Sequence, residues 1–446
     1  MNAPRDTTDT IFAIATPPGV GGIGVIRMSG PDVPNIAASV LGALPKARYA
    51  TFSTFLDAQG GAIDSGIALY FPAPASFTGE HVLELQGHGG VVVQHMLSQR
   101  LADLGARPAR PGEFSERAFL NDKLDLVQAE AIADLVVSGT ESAARAARRS
   151  LEGVFSDRVN ELLGELTSLR VFVEAALDFP DEEIDFIADS DVQERLQKVM
   201  TDINGLLEQA RQGRLLRDGI NIAIVGRPNA GKSSLLNALA GAEAAIVTDI
   251  PGTTRDVLRE TLSLGGLPLH IADTAGLRES GDVIEVEGVR RARAALEQAD
   301  LALWVLDASD AEGPQAGERP ATATPMIRVW NKIDIADPPA NAGPDAVAIS
   351  AKTGAGLDGL KAAILAHAGY ASGHEGTFSA RARHLHALRR TLEHLGVGAT
   401  QLAAGQAPEI LAEELRLAQR ALGEITGAFL PDDLLGAIFA SFCIGK

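Results

Sequence analysis

Cysteine is nearly absent: Cys443 is the only one in 446 residues. A single thiol excludes a disulfide framework within the chain and suits a reducing compartment. Long apolar runs are missing too. No uncharged stretch approaches the roughly 18 residues that a membrane helix needs, and segments such as LALWVL (301–306) read as buried strands. Positive charge is in deficit, 39 Lys and Arg against 58 Asp and Glu, for a net charge of −19. That balance argues against general nucleic-acid coating, which is mostly phosphate neutralisation. Local basic faces stay open at ARAARRS (Arg145, Arg148, Arg149) and RARHLHALRR (Arg381, Arg383, Arg389, Arg390), each of which also reads as a solvated helix face. The opening MNAPRDTTDT has acids where a signal peptide carries lysines. A soluble cytoplasmic protein with no membrane partner is expected.

What is present fills about three domains. Residues 1–120 hold short apolar or alternating runs bounded by Gly or Pro, among them GGIGVIRMSG, GIALYFP and HVLELQGHGG. From about 121 a helical stripe takes over, through Val159, Leu162, Leu166, Leu169 and Val173. Strands and helices alternate from 218 to about 372, a sign of parallel α/β structure, and ASGHEG (371–376) reads as a linker. Helical stripes return at Leu385, Leu388, Leu392 and Leu395, and at Leu411, Leu415, Ala418 and Leu422. The expected fold is multidomain α/β plus α: an N-terminal domain (1–120), a discontinuous helical domain (121–217 and 373–446) and an inserted P-loop domain (218–372).

The insertion carries the most specific signal. INIAIVGRPNAGKSSLLNALAG (220–241) is an apolar strand, the pattern G-x-x-x-x-G-K-S, then a helix. Gly226 and Gly231 let backbone N–H groups face phosphates, Lys232 supplies positive charge and the Ser233 hydroxyl ligates magnesium. PLHIADTAG ends at Asp273, placed to hold magnesium through water, and at Gly276, placed to sense a γ-phosphate. In MIRVWNKID, Asn331 and Lys332 precede Asp334, whose carboxylate accepts from the guanine N1–H and amine. Adenine lacks that donor pair, so GTP is favoured over ATP. ISAKTGAG brings Ser350, Ala351 and Lys352 beside the base, and TDIPGTTRD supplies Thr254 as a switch threonine for magnesium, with Thr253 adding backbone contacts. The expected GTP contacts also include Ala230 and Ser234, Asp249, Pro251 and Gly252, and Thr274 and Ala275.

One expected part is missing. Ras-type GTPases place a water-orienting glutamine after D-x-x-G, and here Leu277 stands there. Glu279, Asp282, Glu285 and Glu287 are candidate replacements, and Arg278 is either a finger or a solvated side chain.

GRPNAGKSSLLNALAG, DIPGTTRDV, DTAGLRE, ATPPGVGGIGVIR, LELQGHGG, ARPGEFSERAFLNDKLDLVQAEAIADL, DFPDEEIDF and SFCIGK together resemble the bacterial tRNA-modification GTPase family MnmE, also called TrmE. The likeness runs from about residue 10 to the last residue. It implies an N-terminal folate-binding-like α+β domain that forms a homodimer and binds 5-formyltetrahydrofolate through Arg27, Glu84, Lys123 and Lys446. It implies a FAD-dependent partner, MnmG, in a heteromeric complex that adds an aminomethyl or carboxymethylaminomethyl group to the wobble uridine of certain tRNAs. It also implies potassium stimulation, with Asn229, Thr248, Ile250 and Thr253 around the ion, and Glu285 as the water-orienting acid. A cation there replaces an arginine finger, a role worth about 10³–10⁵ in rate, although Asn229 also reads as a turn residue.

Cys443 then has two readings, a nucleophile on the uracil ring or a one-carbon adduct, or a small hydrophobe completing the helical domain. His81, Glu84 and His88 lack a third histidine at a familiar metal spacing. The acids of LDFPDEEIDF (177–186) read as a solvated turn. A GTP-regulated ribosome-assembly factor is the competing class; such factors add a dedicated RNA module, and no KH-like GxxG segment follows the P-loop domain.

Overall fold

The computed structural model describes residues 9–178, 191–242, 259–272, 296–310, 322–339, 346–371, 377–404, 408–429, 432–442 and Gly445. Contacts divide the chain into two units. One comprises Met1–Ala133, Ser156–Leu163 and Gln419–Lys446, the other Asp134–Phe155 and Gly164–Ala418.

In the first unit, β1 (Ile11–Ile14), β2 (Gly21–Ser29), β3 (Thr51–Leu56), β4 (Ala62–Phe71), β5 (Val82–Gly89) and β6 (Arg107–Pro108) form one sheet in the order β3-β4-β5-β2-β1-β6. Neighbours are antiparallel except β1 and β6. β5 shows why: Leu83 and Leu85 alternate inward while Glu84, Gln86 and His88 take the other face, the pattern of a half-covered antiparallel strand. Helices α1 (Val33–Leu41) and α2 (Val91–Asp103) cover the inward face, where Val33, Ile36, Leu97 and Leu101 join Ile26, Met28, Leu83 and Leu85 in one core.

Helices α3 (Glu113–Leu120) and α4 (Leu126–Val137) follow. The end of the chain returns to them. Helix α12 (Asp432–Ala440) and the residues after it bury Leu435, Phe439 and Phe442 against Leu126 and Ala129. Gly112 fits this contact because a Cβ there would fall 2.4 Å from the Phe439 carbonyl oxygen. Leu435, Phe439 and Phe442 thus pack within the first unit.

The second unit holds β7 (Ile220–Val225), β8 (Arg259–Leu264), β9 (Leu267–Ala272), β10 (Leu301–Asp307), β11 (Met326–Asn331) and β12 (Ala346–Ala348), in the order β12-β11-β10-β7-β9-β8. Only the edge strand β8 is antiparallel to its neighbour. β10 is buried from Leu301 to Leu306, as a central parallel strand covered on both faces requires. Helices α8 (Lys232–Ala242) and α9 (Leu357–Ala368) belong to this layer. The chain leaves β7 toward β8 and β9 on one side and reaches β10 on the other. Ligands bind beyond the carboxyl ends of strands at such a switch point.

Helices α5 (Glu141–Leu151), α6 (Val154–Asp178), α7 (Val192–Asp218), α10 (Ala382–Ala403) and α11 (Pro408–Gly423) complete the described elements. α7 packs on α10. Its buried Val192, Leu196, Val199, Ile203, Leu206, Ala210 and Gly213 alternate steps of four and three, and Leu388, Thr391, Leu395 and Gly398 of α10 lie at matching intervals, the spacing of a knobs-into-holes seam. Where α4 ends, the buried Asp134 carboxylate accepts from Arg217, Arg381 and Ser379.

Candidate functional site

The phosphate loop joins β7 to α8. Gly226 (φ 154°) and Gly231 (φ 93°) hold backbone conformations that side chains rarely adopt. Space forbids a side chain as well: a Cβ on Gly231 would lie 2.1 Å from Asn331 Nδ2, and one on Gly226 2.3 Å from the Val305 oxygen. Asn229 at the loop apex is left-handed, φ 62°, which gives asparagine a backbone reason to be there. Lys232 Nζ donates to the Gly226 and Arg227 carbonyls, both at 2.9 Å. Burial lowers the Lys232 ammonium pKa below its ordinary value, so a cation waits in a place that phosphate oxygens would relieve. Ser233 and Ser234 begin the first turn of α8 and are exposed. Two hydroxyls, those of Ser233 and Ser234, thus stand at this helix N-terminus.

Asn331 connects that loop to the base-recognition loop. It is 2% exposed. Its Nδ2 donates to the Ala230 carbonyl at 2.9 Å, and its Oδ1 accepts from the Ala351 N–H at 3.0 Å. Asp334 is exposed, and its Oδ1 accepts from the buried Ser350 hydroxyl at 2.7 Å. The carboxylate is therefore aimed without being buried. Lys332 is left-handed (φ 70°), and its Nζ lies 2.6 Å from Asp307 Oδ2. Burial opposes ionisation of Asp307, but Lys332 and Ser309 outweigh it and lower the carboxyl pKa. Sequence reasoning missed Asp307, whose only signal was one acid at the end of an apolar strand. Lys352 lies in the turn that follows Ala351.

In the first unit, Arg27 on β2 and Glu84 on β5 are direct cross-strand partners. Arg27 Nε donates to Glu84 Oε1 at 3.0 Å, and Gln86 Nε2 to Glu84 Oε2 at 3.3 Å. The Arg27 guanidinium stands 5.9 Å from the Phe77 ring centre, within cation–π range. Phe77 was also missed, because a single Phe in a loop has no period to reveal it. Lys123 donates to the Pro74 carbonyl at 3.2 Å, so residues 74–79 run beside both Arg27 and Lys123. Gly445 approaches Ile14 and Ala15 closely enough that a Cβ would lie 2.9 Å from the Ile14 oxygen. The chain end therefore reaches β1, whose Ala13 pairs with Arg27.

His81, Glu84 and His88 do not converge on a common point for a metal. His81 Nδ1 meets the Tyr70 hydroxyl, Glu84 meets Arg27 and His88 meets Asp64. Thr248, Asp249, Ile250, Pro251, Gly252, Thr253, Thr254, Asp273, Thr274, Ala275, Gly276, Glu285, Cys443 and Lys446 lie outside the described residues, as do the other candidate acids Glu279, Asp282 and Glu287. Among the described residues no helix is long and apolar enough to cross a membrane.

The family of GTP-binding protein TrmE N-termini matches residues 10–123, and the MnmE helical domain family matches residues 126–443. The tRNA modification GTPase MnmE of Yersinia pseudotuberculosis serotype O:1b is 56% identical over 453 residues, covering 99% of this chain and 100% of that protein. Its counterpart in Yersinia pestis bv. Antiqua shows the same identity and coverage. Among solved structures, an Era protein of Aquifex aeolicus bound to GDP and aluminium fluoride is 31% identical over 39% of this chain and 66% of that one. Its TM-score is 0.27, too low to carry an argument. Both family matches and the full-length identity agree: the chain belongs to the MnmE (TrmE) family of tRNA modification GTPases.

Proposed function

We propose that the chain is a potassium-stimulated GTPase which, with the FAD-dependent partner MnmG, adds an aminomethyl or carboxymethylaminomethyl group at C5 of the wobble uridine of certain tRNAs. That it is an enzyme of tRNA modification that hydrolyses GTP follows from its family. The observation that carries the hydrolytic part is the Asn331 brace, one buried amide joining the phosphate loop to the loop beside the base. GTP would lie along that brace, its phosphates on the α8 N-terminus and Lys232, its guanine edge on Asp334.

Magnesium fits Ser233, with Thr254 as its switch ligand, and would neutralise charge on the β- and γ-phosphates. Potassium fits the amide oxygen of Asn229, with Thr248, Ile250 and Thr253 completing the shell and Glu285 orienting water. The Arg27–Glu84 pair, Phe77 and Lys123 suit a folate: a carboxylate for ring N–H donors, an aromatic face for stacking and a cation for the carboxylate tail. 5-Formyltetrahydrofolate would supply the one-carbon unit there. Lys446 and Cys443 would reach this pocket, consistent with the seat of Gly445 on β1. The functional parts are then 1–120 for folate and dimerisation, 121–217 and 373–446 for the helical frame, and 218–372 for GTP.

Asn229→Ala tests the potassium role. GTP turnover should lose its stimulation by potassium over sodium while GDP affinity stays within about threefold. Equal stimulation in variant and wild type would refute the assignment.

A further inference from the structure

Strand β10 is buried from Leu301 to Leu306, and the turn that leaves it, DASD (307–310), carries two acids. Asp307 Oδ1 accepts from the Ser309 N–H at 2.9 Å and from the Ser309 hydroxyl at 2.6 Å, the usual way an aspartate builds a turn. The turn needs only that oxygen. The other, Oδ2, lies 2.6 Å from Lys332 Nζ, 25 residues further along the chain. Asp310 reaches as far: its Oδ2 lies 2.6 Å from Arg227 Nη1, across 83 residues.

The fold explains why this turn meets two loops. β10 lies between β7 and β11, parallel to both, so the three carboxyl ends emerge side by side, where ligands bind in such sheets. Asp307 is the register partner of Asn331, and the Ala308 N–H donates to the Asn331 carbonyl at 2.9 Å. On the other side the phosphate loop starts against β10, since a Cβ on Gly226 would lie 2.3 Å from the Val305 oxygen. One short turn thus holds an anion for each neighbour. Arg227 follows Gly226 in the phosphate loop, and Lys332 follows Asn331 in the base loop.

The two ion pairs differ in strength. Arg227 and Asp310 are 42% and 34% exposed, and an exposed pair is weak and screened by salt. Lys332 and Asp307 are less open to solvent, and Lys332 also holds a left-handed backbone, φ 70°, at a cost for any residue with a Cβ. Its bond to Asp307 helps to hold that conformation, and with it the path of the chain from Asn331 to Asp334. The Asn331 amide braces Ala230 and Ala351. The turn acts on different residues, so the two braces are separable.

We propose that the turn 307–310 is a positioning element of the nucleotide site: Asp307 sets the base loop through Lys332, Asp310 sets the phosphate loop through Arg227, and together they slow the release of guanine nucleotide. This rests on the placement of GTP proposed above. Neither acid touches the nucleotide. Opening either loop frees one end of it, so the turn governs dissociation more than bond cleavage.

Stopped-flow release of a fluorescent GDP analogue from the full chain, with magnesium present, tests this. Asp307→Asn should speed release by about 10-fold or more, the loss expected for a hydrogen bond between charged groups. Asp307→Asn combined with Lys332→Gln should release no faster than Lys332→Gln alone, because both changes remove one pair. Asp310→Asn and Arg227→Gln should each speed release by about 2- to 5-fold at low salt. Arg227→Lys should keep most of the wild-type rate, and the differences should vanish in about 1 M sodium chloride. In steady-state hydrolysis the KM for GTP should rise by a larger factor than kcat changes, whereas general loosening of the domain would lower kcat and the melting temperature together. Unaltered release in Asp307→Asn, or effects that multiply in the double variant, overturn the role of Asp307. Unaltered release in Asp310→Asn overturns that of Asp310, and a fall in kcat with KM unchanged overturns both. A wild-type chain that does not retain the GDP analogue overturns the placement of GTP itself, whereas retention by wild type and variants alike overturns the turn alone.

Discussion

Asn331 shows how much one side chain can decide. Removing its amide leaves the Ala230 carbonyl and the Ala351 N–H without the partner each has now, and an unsatisfied buried group costs about 1–3 kcal/mol. Asn331→Ala is therefore expected to weaken GDP binding by roughly 5- to 150-fold in titration calorimetry, from loop disorder and not from a lost ligand contact; unchanged affinity would contradict the brace. Lys232 gives a second outcome. Its pKa is lowered by burial, and bound phosphates favour the charged form. Nucleotide binding should take up protons as the pH rises toward that lowered value, read as a dependence of binding heat on buffer ionisation enthalpy. Equal heats in all buffers at alkaline pH would contradict it.

At the level of elements, α7 and α10 meet along a seam of which only the α10 side, Leu385, Leu388 and Leu395, was read from the sequence, while the α7 side and the glycines were silent. Gly213 is one. Alanine is the better helix former by about 1 kcal/mol, yet a Cβ at this site would lie 2.0 Å from the Phe378 carbonyl oxygen. Gly213→Ala should lower the melting temperature, and a raised one would contradict the packing. The same division runs through the candidate site. The phosphate loop and N-K-x-D were legible because a strand, a glycine turn and a helix start must appear in order for the chemistry to work. Asp307 and Phe77 were not, because their roles depend on strands and loops distant in sequence. Leu277 exposed a missing function without saying which acid replaces it, since four carboxylates follow within ten residues. His88 was visible as a residue but its partner Asp64 was not, because Asp64 reaches it from a neighbouring strand.

Over the whole molecule, two properties carry further outcomes. Glu113 is 1% exposed among Arg107, Arg110 and Arg117. Burial alone would push its carboxyl up; the bonds from Arg107, the Arg110 N–H and Arg117 overcome this and hold the pKa at about 2, against 4.5. A depressed carboxylate pKa gives stability that is present above the unfolded value and lost as pH falls through the folded one, here worth about 3 kcal/mol. The stability gap between wild type and Glu113→Gln in urea unfolding should therefore shrink as pH falls below about 4.5, and a constant gap would contradict the assignment. The first unit also exposes Val20 and Ile23 at the start of β2, and Val91 and Val92 at the start of α2, next to the Gly21–Gly89 pairing. The homodimer expected from the family resemblance would suit an apolar patch of this kind, so Val20→Glu with Val92→Glu is expected to yield monomers in sedimentation; an unchanged assembly would contradict that reading. The account as a whole is tested most directly by mass spectrometry of wobble uridines in tRNA from cells lacking this chain. Loss of the aminomethyl-type modifications, restored by the wild-type chain and not by Lys232→Ala, is the expected result. Wobble uridines unaltered by the deletion would contradict it.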